Sequence, residues 1–166
     1  ARGECSIECQ QVYTNSDYLL IDPLTENKTV LENLKKTRSF KFWSGALGST
    51  AGSLKINLHE DQSSFLDSEY SSGNKDLVDV KTLDLLVNEI YPDIKSNTFL
   101  KIDVQGFELE VLRGAQETLK NIEVILIEVS FREIYKDSPL ASEIISYMDK
   151  QGYRIYDICT YSQRPQ

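Results

Sequence analysis

The chain has 166 residues, of which 40% are hydrophobic and 27% charged, the proportions of one ordinary globular domain spanning residues 1–166. Its formal net charge of -8 argues against a nucleic-acid binder, because binding to a phosphate backbone needs clustered lysine and arginine. No run approaches the roughly 20 apolar residues that cross a bilayer, and no signal-peptide pattern opens the chain, so we expect no membrane association.

Apolar runs alternate with amphipathic stretches in the first part of the chain. Short apolar or alternating runs predict strands at 18–21, 40–47 and 53–58. The stretch from Thr25 to Lys36 predicts a helix, with a threonine N-cap and two lysines at its C-terminal end. A turn sequence, GSTAG, precedes the third strand, which we expect to pair back on the second as a hairpin.

A polar stretch rich in serine, aspartate and glutamate runs from His59 to Asp76. This composition is typical of a surface loop, and long loops in compact domains are often functional. A Ser-His or Cys-His catalytic pair would have to use His59, the only histidine of the chain. Its polar surroundings favour a solvated loop side chain instead.

The second part of the chain repeats the alternation of strands and helices. Strands are predicted at 77–81, 98–102, 124–129 and 153–158. Helices are predicted at 82–90 with Thr82 as its cap, from near Gly106, and at 138–151. The second and third of these strands are near-continuous apolar runs, as expected for strands covered on both faces. This βαβ pattern predicts an α/β protein with a mostly parallel sheet.

Three cysteines, Cys5, Cys9 and Cys159, leave an odd number for disulfide pairing. The first two are four residues apart, which places them on one face of a helix. A metal site there would need further ligands, so we predict no metal and three reduced thiols in a cytoplasmic protein.

Acidic residues end three of the predicted strands. They are Asp22 after YLLI, Asp103 after FLKI and Glu128 within LIEV. Ligands of parallel sheets bind beyond the carboxyl ends of the strands, where an acid can accept hydrogen bonds from ribose hydroxyls and Gly106 lets the backbone approach a ligand. Each acid alone is better explained as a cap of the following helix, but three at one edge favour a binding site.

The segment LKIDVQGFELEVLRGA, followed by VILIEVSFREIY, closely resembles the FkbM family of S-adenosylmethionine-dependent methyltransferases. Weaker similarities fall in the right order along most of the chain. YLLIDP is similar to the family's second strand, SGALGSTAGSLKINL to its third strand and following hairpin, and SSF to a serine-containing loop. VDVKTLDLL resembles the segment before the fourth strand, and QGYRIYDI the strand after the last helix.

The resemblance implies a Rossmann-like class I methyltransferase fold that O-methylates a small or glycan-like hydroxylated substrate. It also implies roles for residues of this chain: Asp22 at the cofactor ribose, Ala46 and Leu47 near the adenine, Asp103 near the methionine end and the methyl group, and Glu128, Ser63 and Ser64 at the substrate. Asp103 would accept the hydroxyl proton or orient the cofactor. Gly3 would belong to the second half of the family's glycine-bearing cofactor loop.

The family's first strand, at the centre of its sheet, and its last strand have no counterpart in this sequence. We therefore expect the strands that flank the missing one to need new backbone partners. These partners could come from direct pairing of 18–21 with 98–102, from a strand formed by the N-terminal segment, or from exchange between subunits. Exposed edges of this kind favour homo-oligomers.

Three functions remain open on these grounds. The first is an active methyltransferase, and the second is a remnant of that fold that binds a partner or self-associates without catalysis. A nicotinamide-dependent enzyme is disfavoured, because no intact G-x-G-x-x-G follows a strand.

Overall fold

The computed structural model describes residues 4–38, 40–57, 64–66, 75–94 and 97–161. The helices are α1 (Glu4–Val12), α2 (Lys28–Arg38), α3 (Leu83–Ile90), α4 (Glu108–Arg113) and α5 (Ala141–Lys150), with 3-10 turns at Thr25–Asn27 and Thr118–Asn121. The strands are β1 (Leu19–Asp22), β2 (Lys41–Ser44), β3 (Ala46–Leu47), β4 (Gly52–Asn57), β5 (Lys75–Lys81), β6 (Thr98–Ile102) and β7 (Ile122–Ile127). Helices and strands alternate, which confirms the predicted α/β class.

The described strands pair in three small groups. Strands β1 and β2 are parallel, and so are β6 and β7, as the α/β pattern predicts. The third group has the order β3-β5-β4, in which β5 is parallel to β3 and antiparallel to β4. The predicted hairpin is therefore wrong, because β4 pairs with β5 and not with the 40–47 run.

A small core explains this pairing. Ile56 of β4 and Val78 and Val80 of β5 are buried together with Ala46 of β3. Burial of these side chains places β5 between its two partners. Gly45 separates β2 from β3, so the single strand predicted at 40–47 is two strands with different partners.

The largest core lies between β6, β7 and helices α3, α4 and α5. Its buried members are Leu83, Val87, Ile102, Val111, Leu112, Ala115, Leu119 and Ile144. Helix α3 begins after Thr82, whose hydroxyl accepts a hydrogen bond from the Leu85 amide at 3.1 Å, as the predicted cap requires. A separate core joins α2 to β1 and contains Leu20, Leu31, Leu34 and Phe40.

Strands β6 and β7 are covered on one face and exposed on the other. Leu100 and Ile125 pack against the largest core, whereas Phe99 is 52% exposed and Val124 is 54% exposed. Within the residues that the structure describes, the prediction that both faces of these strands are covered is wrong. The described helices pack on the face that holds Leu100 and Ile125, and nothing among the described residues buries Phe99 or Val124.

Strands β1 and β6 each have a ladder partner on one side only within the described residues. The direct pairing expected between them does not occur there, and the N-terminal segment forms helix α1 instead of a strand. Ile21 of β1 nevertheless packs against the largest core, so the two pairs of strands share hydrophobic contacts. Exchange or association between subunits through these edges stays a prediction.

The predicted strand at 153–158 is also wrong. These residues form no strand, and Ile155, Tyr156 and Ile158 are largely exposed. Only the start of the segment is anchored: the Tyr153 hydroxyl bonds to the carbonyl oxygens of Leu119 at 2.6 Å and Ile122 at 2.8 Å. An alternating pattern without a neighbouring strand cannot satisfy its backbone by a ladder, and the segment is exposed here without regular secondary structure.

Candidate functional site

Asp22 ends β1 with both carboxylate oxygens engaged. One oxygen accepts a hydrogen bond from the Leu24 amide at 2.8 Å, and the other accepts one from the Asn27 side chain at 2.9 Å. Asp22 is buried, so these bonds replace water around its charge. Asp22 therefore fixes the turn into the helical segment that follows. This is the helix-capping role that the sequence analysis gave as the alternative to a binding site.

The same turn brings Asp22 next to the start of β3. The Gly45 amide donates a hydrogen bond to the Asp22 carbonyl oxygen at 3.2 Å. Ala46 is buried in the core shared with β4 and β5, and Leu47 packs against the largest core. The residues assigned to the ribose and to the adenine are thus close neighbours, at the carboxyl ends of adjacent strands.

Asp103 ends β6 and receives two side-chain hydrogen bonds. Lys101 lies 2.7 Å from one carboxylate oxygen, and the Gln105 amide lies 3.1 Å from the other. Burial of Asp103 favours its neutral form, but hydrogen bonds from Lys101, Glu128 and Gln105 and the charge of Lys101 outweigh it, so its pKa lies below the ordinary value. Asp103 is therefore ionised at neutral pH, and its side chain remains 34% exposed.

Glu128 follows β7 and lies beside Asp103. Its backbone amide bonds to the Ile102 carbonyl at 3.1 Å, which continues the β6–β7 ladder by one residue. One of its carboxyl oxygens lies 3.4 Å from the Gln105 amide nitrogen, which also lies 3.1 Å from an oxygen of Asp103. Two of the three strand-ending acids therefore meet, at the carboxyl ends of adjacent parallel strands.

Gln105 connects this pair to the rest of the site, a role that the sequence analysis missed. It has a φ of 52°, in the left-handed region, and Gly106 follows with a φ of 96°. The Tyr135 hydroxyl donates to the Gln105 side-chain oxygen at 3.0 Å. The available signal was a polar residue between a strand-ending acid and a glycine, but the sequence does not show that Tyr135 lies opposite.

Ser64 supports the same turn from the other side. Its hydroxyl donates to the Gln105 backbone carbonyl at 2.7 Å and accepts a hydrogen bond from the Leu66 amide at 3.2 Å. Ser64 is only 2% exposed, so it lies behind the turn, in contact with the backbone that carries the acid pair. The predicted serine loop therefore reaches the site. Gly3, Ser63 and His59 lie outside the described residues.

Glu108 is a buried acid that the sequence analysis also missed. It is the first residue of α4, and its carboxylate accepts a hydrogen bond from the Gly106 amide at 3.0 Å. Burial raises the pKa of Glu108 more than its backbone hydrogen bonds lower it, and the charge of Asp103 adds to the rise. Glu108 therefore closes the turn at the start of α4 through its hydrogen bond with the Gly106 amide.

Other chemistries find little support in the described ranges. Those ranges hold no group of three or more side chains suited to a metal ion. Cys5 and Cys9 lie on α1 as predicted, and all three cysteines are free thiols. No helix in the part of the chain that the structure describes is long and apolar enough to cross a membrane.

An α/β domain with acids at the carboxyl ends of parallel strands is the architecture of proteins that bind nucleotide-like cofactors at that edge. The methyltransferase FkbM domain family matches residues 14–155, which is most of the chain. The chain therefore belongs to the FkbM methyltransferase family. No curated protein and no solved structure shows a significant match to it.

Proposed function

We propose that this chain is an S-adenosylmethionine-dependent methyltransferase that methylates a hydroxyl group of a small or glycan-like acceptor. Membership of the FkbM family supports methyl transfer as the reaction class. The observation that carries the proposal is that Asp103 and Glu128, at the carboxyl ends of the paired strands β6 and β7, both lie within reach of the Gln105 amide. In parallel sheets this edge is where ligands bind, and these acids remain accessible there.

The residues at this edge fit the cofactor by their chemistry. Each carboxylate oxygen of Asp22 has more than one lone pair, so it can accept a ribose hydroxyl while it keeps its bond to Leu24 or Asn27. Leu47 is only partly buried and offers an apolar contact near Asp22, as an adenine ring needs, and the buried Ala46 supports it from the core. Asp103 offers a partly exposed negative charge, as the cationic methionine end needs.

S-adenosylmethionine, when bound, supplies a methyl group on a positively charged sulfur. The chain's own part is alignment: Asp103 would hold the cationic end of the cofactor, and Glu128 would hold the acceptor hydroxyl in line with it. The lowered pKa of Asp103 keeps it ionised but makes it a weak base. Its main contribution would therefore be electrostatic orientation. Asp103 would take the proton of the acceptor hydroxyl only once the methyl group has left the positively charged sulfur.

Isothermal calorimetry with S-adenosylmethionine and S-adenosylhomocysteine tests the proposal. We expect micromolar affinity for both, and weaker binding of the charged cofactor by Asp103→Asn. Asp93→Asn is the matched control, because Asp93 is an exposed acid in the turn ahead of β6, and Asp103 follows the other end of that strand. Absence of heat at millimolar ligand would contradict the proposal and favour a methyltransferase fold that serves as a binding or self-associating module.

Glu128 is assigned to the acceptor, so its variant needs a different measurement. Glu128→Gln should keep cofactor affinity while transfer of a labelled methyl group to a panel of hydroxylated acceptors falls. Glu123→Gln is the control, because Glu123 is an exposed glutamate at the opposite end of β7. Equal transfer by both variants would remove Glu128 from the acceptor site.

We also propose a cytoplasmic location, where Cys5, Cys9 and Cys159 would stay reduced. Thiols persist in the reducing cytoplasm and tend to be oxidised outside it. Blocking thiols at cell lysis and counting the blocked cysteines by mass spectrometry tests this. Three blocked cysteines are expected, and a disulfide in the isolated protein would overturn the assignment.

A further inference from the structure

Asn27 is a buried asparagine beside Asp22, and only half of its side-chain amide is used. The amide nitrogen donates a hydrogen bond to one Asp22 carboxylate oxygen at 2.9 Å, and the two residues are 6% and 8% exposed. An amide nitrogen can only donate and a carboxylate can only accept, so the nitrogen of Asn27 faces Asp22. The amide oxygen is therefore the atom that remains to be accounted for.

Three hydrogen bonds close the turn between these two residues. The Leu24 amide donates to the other Asp22 oxygen at 2.8 Å, and the Asn27 backbone amide donates to the Leu24 carbonyl at 3.1 Å. The Asn27 side chain completes the ring by its bond to Asp22. The carboxylate and the amide are thus fixed relative to each other before any ligand binds, which lowers the entropy cost of binding.

The Asn27 side-chain oxygen has no hydrogen-bond donor among the residues that the structure describes. A buried oxygen without a donor costs about 1–3 kcal/mol, so such atoms are rare unless a ligand or water pairs with them. The Asp22 carboxylate beside it also keeps lone pairs free. Two acceptors therefore lie together at the carboxyl end of β1, each able to take one further hydrogen.

A vicinal diol is the ligand group that matches two neighbouring acceptors. The Asn27 oxygen shares its carbon with the bonded nitrogen, so it lies no more than about 5.5 Å from that Asp22 oxygen. Hydroxyls on two adjacent carbons, each donating over about 2.7 Å, can span this separation. A ligand with one hydroxyl would leave one of the two buried oxygens unpaired, so the pair favours a diol.

We infer that Asn27 is a second binding residue of a ribose subsite. Its nitrogen orients Asp22, and its oxygen and the Asp22 carboxylate each accept one hydroxyl of the vicinal diol. The inference deepens the proposed function and rests on it for the identity of the whole cofactor, but the subsite itself can be measured with a nucleoside alone.

The test is an NMR titration of the full chain with adenosine and with dideoxyadenosine, which lacks both ribose hydroxyls. The unmodified chain should bind adenosine about tenfold or more tightly than dideoxyadenosine, since the missing hydroxyls leave buried acceptors unpaired. Asn27→Ala should weaken adenosine about tenfold and dideoxyadenosine by less than about twofold, so that the preference for the diol is lost. A purely structural role of Asn27 would weaken both ligands alike.

Asn33→Ala is the matched control, because Asn33 is an exposed asparagine of α2, and this variant should keep the preference for adenosine. The Asn27 side-chain carbonyl carbon of the unmodified chain gives a second measurement that needs no substitution. Its resonance should shift with adenosine and not with dideoxyadenosine, and it decides the question if circular dichroism shows that Asn27→Ala does not fold. Equal weakening of both ligands by Asn27→Ala, or a carbonyl carbon that responds to both ligands alike, would overturn the inference.

Calorimetry with S-adenosylmethionine separates this result from the proposed function. If the chain prefers adenosine through Asn27 but does not bind S-adenosylmethionine, the proposed function fails and the ribose subsite stands. If the chain binds S-adenosylmethionine and Asn27→Ala leaves the preference for the diol unchanged, the proposed function stands and the role of Asn27 fails. Absence of binding by both adenosine and S-adenosylmethionine would overturn both.

Discussion

The Ser64 hydroxyl donates a hydrogen bond to the backbone carbonyl of Gln105 at 2.7 Å, across 41 positions of sequence. Through this bond a serine in a polar loop holds the turn between β6 and α4. The strand-ending acid and the loop are therefore parts of one arrangement, although nothing between them in the sequence predicts the contact.

Ser64→Ala should destabilise the chain. The substitution leaves the Gln105 carbonyl without this donor at a buried position, which costs about 1–3 kcal/mol. Urea unfolding followed by circular dichroism measures the loss. Ser53→Ala, at an exposed position of β4, should change the midpoint little, and an equal loss in both variants would argue against a special role for Ser64.

Gly114→Ala should be more damaging than an ordinary glycine substitution. A Cβ at this position would overlap the Gly48 backbone carbonyl and approach Thr82, and backbone cannot move aside cheaply. Overpacking of this kind costs about 1–3 kcal/mol. A Cβ at Gly52 would meet nothing within 4 Å, so Gly52→Ala should be neutral or slightly stabilising. Thermal unfolding of the two variants compares them directly, and similar melting temperatures would contradict the expectation.

Asp84→Ala should loosen the 3-10 turn at Thr118–Asn121. The Asp84 carboxylate accepts hydrogen bonds from the backbone amides of Glu117 at 3.0 Å and Thr118 at 2.7 Å. Loss of both acceptors should cost about 1–3 kcal/mol, since Thr118 is buried. Amide hydrogen exchange at Glu117 and Thr118 should speed up. The control is Asp93→Ala in an exposed turn, and unaltered exchange in the Asp84 variant would show that water replaces the carboxylate.

Glu108 makes stability depend on pH in a predictable direction. Burial raises its pKa in the folded chain above the unfolded value, so the folded state binds more protons in the window between the two values. The contribution of Glu108 to stability is therefore greatest below that window and falls as the pH rises through it.

Glu108→Gln keeps an oxygen to accept the Gly106 amide but removes the titration. The stability of this variant relative to the unmodified chain should rise as the pH increases through the window between the unfolded and the raised folded pKa of Glu108. Urea midpoints at several pH values measure the difference. A flat difference for Glu108→Gln would show that its ionisation costs nothing in the fold.

The sequence predicted the features whose causes are local. Asp103 was found because an apolar run, an acid, a glycine and an amphipathic helix follow one another within a few residues. Thr82 was found as a helix cap for the same reason, and the structure confirms it. The family resemblance was carried by this same segment, and the family match confirms it.

The errors concern partners that lie far apart in sequence. Tyr135 and Gln105 are separated by 30 positions, so their hydrogen bond leaves no local pattern. The run at 153–158 alternates as a strand does, but alternation does not supply a neighbour. The exposure of Phe99 and Val124 was not predicted. An apolar run shows that a strand can be buried on both faces, but it does not show whether a helix covers each face.

The contact between Gly114 and Gly48 also bears on how the site can move. Gly114 ends α4, which starts beside the acid pair, and Gly48 follows the strand assigned to the adenine. The Gly114 carbonyl also accepts the Asp84 amide at 3.0 Å, and the Gly48 amide is bonded to the Lys81 carbonyl at 3.0 Å. Because these contacts join backbone to backbone, the two sides of the edge cannot separate without breaking them. Opening of the site is therefore expected to be cooperative, with neighbouring amides losing protection together and not one by one.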